Sequence, residues 1–163
     1  MEILNSKQII QKVRRLSYEI LEKNLNAKSI YFAGINNNGT RFAEMIRKEL
    51  VALNPPFEII PCNINLNPAT PVKDPVTIDI PVKDLRGKQI IIIDDVANTG
   101  RTIFYALKPL MEVVPKKVEV AVLVDRKHKS FPVKVDYVGL SLATTAKENI
   151  LVELGAQANV ILE

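Results

Sequence analysis

The apolar positions of this chain switch between helical stripes and short aliphatic runs. Residues 6 to 25 set Ile9, Ile10, Val13, Leu16, Ile20, Leu21 and Leu25 on one helical stripe, with Asn5 or Ser6 as N-cap and Asn24 or Asn26 near the stop. SIYFA (29–33) predicts a short buried strand, and Phe42, Met45, Ile46, Leu50 and Leu53 predict a second helix that Pro55 and Pro56 end. Between them, Gly34, Ile35, Asn36, Asn37, Asn38 and Gly39 predict an irregular turn, because glycine and asparagine tolerate positive φ. FEIIPCNINL (57–66) reads as a strand broken or bent at Pro61. Residues 67–83 hold Pro68, Pro71, Pro75 and Pro81 with alternation at Val76, Ile78 and Ile80, which predicts a loop and a short antiparallel excursion; Leu85-Arg86-Gly87-Lys88 turns the chain back.

The next run, Ile90 to Ile93, has no polar alternation, so its strand is apolar on both faces and belongs in the middle of a parallel sheet. It leads into Asp94 and Asp95, at the carboxyl end of a strand where open α/β sheets place their ligand crevice. Asn98, Thr99, Gly100, Arg101 and Thr102 follow, small and hydroxyl-bearing residues able to wrap an anion in backbone N–H groups. Ile103, Leu107, Leu110 and Met111 then predict a helix, kinked by Pro109 and ended by Pro115. A turn of this kind also occurs where the acids only cap a helix or face water. KVEVAVLVD (117–125) reads as a parallel strand entering the core, and ILVEL and NVILE near the C-terminus as sheet-edge strands.

Composition narrows the classes. With 163 residues, 47% hydrophobic and 25% charged, the chain suits one domain, 1–163, that buries a core without staples. A single cysteine (Cys62) and a single histidine (His128) exclude an internal disulfide and a Cys/His metal cluster. No apolar run is long enough to span a membrane, which predicts a soluble cytoplasmic protein. The net charge of +4 permits an anionic partner, a diphosphate or RNA. Arg14, Arg15, Lys127 and Lys129 are the basic residues open to RNA, and equally to being a solvated face. GxxxxGK[ST] and GxGxxG are absent.

Residues 90–102, IIIIDDVANTGRT, resemble the phosphoribosyl diphosphate (PRPP) motif of the type I phosphoribosyltransferases: an aliphatic run, two acids, an aliphatic, two variable positions, then Thr-Gly-x-Thr. LVDRKHKSFPVKVDYVG (123–139) is similar to the corresponding segment of a narrower group, the pyrimidine-operon attenuators that are also uracil phosphoribosyltransferases. The resemblance implies an α/β, doubly wound, mainly parallel sheet of about five strands with helices on both faces and a small hood. It implies Asp94 and Asp95 on the ribose hydroxyls and, directly or indirectly, on Mg2+. Ala97 to Thr102 would then lie on the 5′-phosphate, and Gly34 to Gly39 on pyrophosphate. Asn98 would meet the base, with Arg126, Tyr137 and Val138 in the base-binding region, and the protein would be a homodimer.

Three positions depart from that pattern. Asn38 stands where the family commonly carries Arg or Lys, and Asn67-Pro68 where the attenuator group carries an arginine. Asn98 stands where purine-specific members often have Asp and the attenuator group has Tyr. Charged clamps on a leaving group are worth about 10²-fold or more in rate, so binding is expected to outlast turnover unless Lys73, Lys83 or a partner subunit substitutes. The readings carried forward are a phosphoribosyltransferase preferring uracil, an RNA-binding regulator that senses PRPP or nucleotide, and a purine salvage enzyme.

Overall fold

The computed structural model describes residues 1–145 and 147–163. Its main sheet has six strands: β2 (Ser29–Ile35), β3 (Glu58–Asn65), β4 (Thr77–Ile78), β5 (Gln89–Ala97), β6 (Lys117–Arg126) and β7 (Tyr137–Leu142). They lie in the order β4-β3-β2-β5-β6-β7, all parallel except the two-residue β4, which runs antiparallel to the end of β3. The chain winds outward from β2 to β3, crosses back to β5, and then proceeds to β6 and β7. That reversal opens a crevice at the carboxyl ends of β2 and β5.

The isoleucine run explains why β5 is central. Ile91 and Ile93 face one layer, with Phe32, Leu123, α1 (Ser6–Lys23) and α2 (Asn36–Ala52); Ile90 and Ile92 face the other, with Ile35, Ile64, Val122 and α3 (Arg101–Ala106). All four are at most 1% exposed, and burying each contributes roughly 1.5–3 kcal/mol. α1 begins with the expected cap: the Asn5 side chain accepts from Gln8 N, and the Gln8 side chain accepts from Asn5 N. Its predicted stripe is right at Ile9, Val13, Leu16 and Ile20; Ile10 and Leu25 are instead exposed.

Four expectations change. Gly34–Gly39 is not an irregular loop, because β2 runs through Ile35 and α2 starts at Asn36. Pro61 does not break β3: it pairs with Phe32 at a level that β4 does not reach, so the outer side of the strand is an open edge where a missing N–H is tolerated. The helix after residue 100 is short, ending at Ala106 and tightening into a 3₁₀ turn over Lys108–Glu112, since Pro109 has no N–H to extend an α-helix; Met111 faces solvent. The C-terminal strands do not edge the main sheet. β8 (Ile150–Glu153) and β9 (Asn159–Leu162) join β1 (Glu2–Leu4) in a separate antiparallel sheet, order β1-β9-β8. This hood packs Leu4, Ile150, Val152 and Val160 onto the core layer of α1 and α2. Among the described residues no helix is long and apolar enough to cross a membrane.

Candidate active site

Three segments meet at the crevice. The first is the end of β2, where Asn36 makes the turn alone, with φ of +51°. Its amide latches β2 to the end of β3, donating to Leu66 O at 2.9 Å and accepting from Leu66 N at 3.0 Å. A one-residue turn suffices because both halves of the Asn36 side chain are bonded. α2 then presses its first turn against β5: a Cβ on Gly39 would stand 2.5 Å from Ile93 O, so only glycine allows this approach.

The second segment is the end of β5. Asp94 is buried, 7% exposed, and its Oδ1 accepts from Asp95 N at 2.9 Å. Asp95 is half-buried; its Oδ1 accepts from Val96 N at 2.8 Å and its Oδ2 from Asn38 Nδ2 at 2.9 Å. Burial, and then the neighbouring charge of Asp95, raise the Asp94 pKa well above the ordinary carboxylate value. The pair borders a cavity of about 380 Å³ whose other walls include Asn36, Asn37, Asn38, Pro68, Asn98 and Thr102. Ile150 of the hood also lines it, a contact that nothing in the sequence pattern signalled.

The third segment is the turn after β5. Gly100 adopts φ of +86°, in the left-handed region, and its carbonyl accepts from Phe104 N at 2.9 Å. Thr99 O accepts from Ser130 N and Phe131 N, so the basic loop after β6 braces the turn from behind. Residues 96–103 thereby enclose a small concavity. The N–H groups opening α3 have no intrahelical acceptors, which suits an anion. The Arg101 side chain leaves the turn to donate to Ala69 O at 3.3 Å, tying it to the 67–83 loop.

A side cavity of about 350 Å³ adjoins the cleft and shares Asn98 with it; Thr99, Arg126, His128 and Thr144 form the rest. Arg126 donates to Thr144 Oγ1 at 2.6 Å, Thr145 O at 2.7 Å and Asn98 Oδ1 at 3.4 Å. A guanidinium only donates, so the amide of Asn98 is oriented with its oxygen toward Arg126, and its NH2 has no partner among the described residues.

The family model described as "Phosphoribosyl transferase domain" matches residues 1–157. The chain belongs to the type I phosphoribosyltransferase family. Curated relatives include "Bifunctional protein pyrR" of Enterococcus faecalis, 33% identical over 159 residues, covering 94% of this chain and 89% of the relative. "Bifunctional protein PyrR" of Streptococcus agalactiae is 36% identical over 159 residues with the same coverage, 94% and 89%. Among solved structures, the hypoxanthine phosphoribosyltransferase of Trypanosoma cruzi superposes with a TM-score of 0.77 at 13% identity, covering 99% of this chain and 95% of that one. A hypoxanthine-guanine phosphoribosyltransferase from Bacillus anthracis gives 0.72 at 19% identity, covering 87% and 82%. At such identities the likeness is one of fold.

Within this phosphoribosyltransferase, Asp94, Asp95, Ala97 to Thr102, Asn36 to Asn38 and Arg126 come together, whereas Tyr137 and Val138 stand apart. Tyr137 opens β7 opposite Ala121, four residues before Ser141, the partner of Asp125. That spacing puts it about 13 Å down the sheet from the site. It is fully buried, donates to Glu119 Oε1 at 3.0 Å and accepts from Asn24 Nδ2 at 3.2 Å, so it is a core residue and not part of a base-binding wall. The carbonyls of Val138 and Gly139 accept from Arg15, at 2.8 and 2.6 Å, which covers this edge of the sheet. The expectation that Tyr137 and Val138 lie at the crevice with Arg126 is therefore corrected: they open β7, at the end of the sheet away from Asp94 and Asp95. Thr144 and His128 were missed as wall residues: His128 had a signal in the Asp-Arg-x-His pattern, Thr144 had none.

Proposed function

We propose that the protein, as one domain spanning residues 1–163, transfers the 5-phosphoribosyl group of PRPP to an oxo-bearing nucleobase, with uracil preferred, at low turnover. The observation that carries this reading is the acid pair Asp94–Asp95 at the carboxyl end of the central strand, directly before the left-handed Gly100 turn. The ribose hydroxyls would donate to the carboxylates, and the 5′-phosphate would occupy the concavity of residues 96–103. The base would enter the side cavity and accept from the free NH2 of Asn98. The C1–oxygen bond to diphosphate breaks, the bond from C1 to the base nitrogen forms, and the proton on that nitrogen leaves to solvent. Positive charge grows at C1 as the bond breaks, and the two carboxylates stand ready to stabilise it.

Mg2+ fits the donors present. Among the described residues no cluster of three acids, histidines or cysteines could hold a metal by protein ligands alone. One or two carboxylates completed by substrate oxygens is the usual Mg2+ arrangement, and Asp94 and Asp95 supply it. Bound there, the ion would neutralise charge on the diphosphate.

Uracil is preferred over purines because segment 123–139 resembles that of the pyrimidine-operon attenuators that are also uracil phosphoribosyltransferases, and relatives named "Bifunctional protein PyrR" match 94% of the chain. The low turnover rests on Asn38 and Pro68. The basic residues favour the enzyme over an RNA-binding regulator, because two are already engaged: Arg15 on the β7 carbonyls and Lys129 on Asp125 at 2.5 Å. A homodimer in the cytoplasm is the expected form. The deciding assay is PRPP- and Mg2+-dependent nucleotide formation across uracil, hypoxanthine, guanine, xanthine and adenine. Slow turnover confined to uracil is expected; adenine as the best substrate, or no turnover with any base, would overturn the reading.

A further inference from the structure

We propose that the amino ends of β2, β5 and β6 form a second anion site, one that takes a small phosphate ester carrying a free hydroxyl. It lies at the other end of the sheet from the acid pair: Gln89 opens β5 and Asp94 is five residues further on, about 17 Å along the strand. A cavity of about 250 Å³ opens there, and Asn26, Lys28, Ser29, Lys88, Gln89 and Lys116 stand in its walls. The topology delivers the three lysines. Lys28 immediately precedes β2, Lys88 precedes β5 and Lys116 precedes β6, three strands that are neighbours in the sheet. Lys116 N donates to Lys88 O at 2.9 Å, so two of the lysines stand side by side on adjacent segments.

The first sign of a ligand is uncompensated charge. No acid lines the cavity, and among the described residues none of the three ammonium groups is in an ion pair. Glu58, level with Ser29 on β3, pairs with none of them, and Glu119 on β6 is held by Lys117 at 3.3 Å and by the Tyr137 hydroxyl at 3.0 Å. Like charges on adjacent strands repel, and an anion between them relieves that cost.

The second sign is independent of the lysines. Oε1 of Gln89 is buried and has no hydrogen-bond partner. Buried polar atoms are ordinarily paired, and turning the amide over would only put its NH2 in the same position. An occupant that brings anionic oxygens to the lysines and the Ser29 hydroxyl, and an O–H to Gln89, satisfies both. The volume sets its size: room for about eight waters, below the roughly 300–1,000 Å³ of sites for drug-sized ligands. A phosphate ester of a short polyol fits that description.

The test is amide NMR of the full chain at about pH 8, where a phosphate ester is doubly charged, titrated with glycerol 3-phosphate and with methyl phosphate, which lacks the hydroxyl. Glycerol 3-phosphate should shift the signals of residues 28–29 and 87–89 saturably and bind there about threefold more tightly than methyl phosphate. Gln89→Leu should abolish that preference and leave methyl phosphate within about a factor of two. Lys88→Gln combined with Lys116→Gln should weaken both esters at these residues by about tenfold and leave any shifts at residues 99–102 unchanged. Signals that move only at residues 99–102, or that titrate alike in the wild type and the lysine double variant, would overturn the proposal. A response of residues 28–29 and 87–89 to an RNA oligonucleotide but to neither ester would overturn it too, because the lysines would then serve a nucleic-acid backbone. Equal affinities for the two esters in the wild type would overturn the assignment of Gln89 and of a hydroxylated ligand.

Discussion

Asn38 Nδ2 stands 2.9 Å from Asp95 Oδ2 and 3.3 Å from Val152 O, so one amide joins the acid pair to the hood. A neutral donor holds the carboxylate in place without cancelling its charge, which leaves the pair free to attract a cation or hydroxyl groups. Asn38→Ala removes that brace. Stability should fall by about 1 kcal/mol in urea denaturation, the usual net worth of one hydrogen bond. Affinity for uridine 5′-monophosphate should fall by about tenfold as Asp95 loses its fixed orientation. Lost stability with unchanged affinity would make Asn38 a hood contact only.

Asn98 offers a second test, because Arg126 fixes the direction of its amide. Asn98→Asp keeps the partner of Arg126 but replaces the free NH2 with a second acceptor, which repels the carbonyl of an oxo base. Discrimination between uridine and cytidine 5′-monophosphates should shrink or reverse, with at least a tenfold loss for the uridine nucleotide. An unaltered preference would mean that the base is read elsewhere, with Thr144 the next wall residue to test.

The basic residues separate in the same way. Arg15 serves the β7 carbonyls, so Arg15→Gln should lower stability by roughly 1–3 kcal/mol. Lys127 is exposed and Arg14 makes only a loose 3.7 Å pair with Glu49, so these two are the residues free for RNA. If RNA binds, Lys127→Gln should reduce the slope of log affinity against log salt by about one. No measurable affinity for any RNA at low salt would leave them as a solvated face.

What the sequence disclosed follows from how local each signal was. Ile90 to Ile93 announced a central strand because two-sided burial leaves an unbroken apolar run. The acid pair and the Thr-Gly turn were legible because their geometry is built within a few consecutive residues. The hood was not legible in its connections: β1 has three residues, and its pairing with β9 joins opposite ends of the chain. Tyr137 misled because an aromatic beside Val and Gly reads alike at either end of a strand; its depth depends on the register with β6. Asn38 was visible as a missing cation. Its bond to Asp95 was not, since it depends on how closely Gly39 lets α2 approach β5.

The buried acid gives the last prediction, because its two consequences have opposite signs. Burial and the adjacent charge of Asp95 hold the Asp94 pKa above 3.8, its value in an unfolded chain. The folded protein therefore keeps a proton that the unfolded chain has already lost, and stability should fall as pH rises from that ordinary value through the raised one. Affinity for a nucleotide with Mg2+ should rise across the same window, because hydroxyl groups and the cation both require the charged pair. Asp94→Asn abolishes both trends. Its amide oxygen can still accept from Asp95 N, so the variant should fold, be more stable than the wild type at neutral pH, and lose at least tenfold in Mg2+-dependent affinity for uridine 5′-monophosphate. Urea denaturation of both proteins over a pH series, paired with nucleotide titrations, reads both effects. A wild-type stability that climbs through this window relative to Asp94→Asn would show that Asp94 is charged at no cost in the free protein. The affinity would then owe its pH dependence to another group.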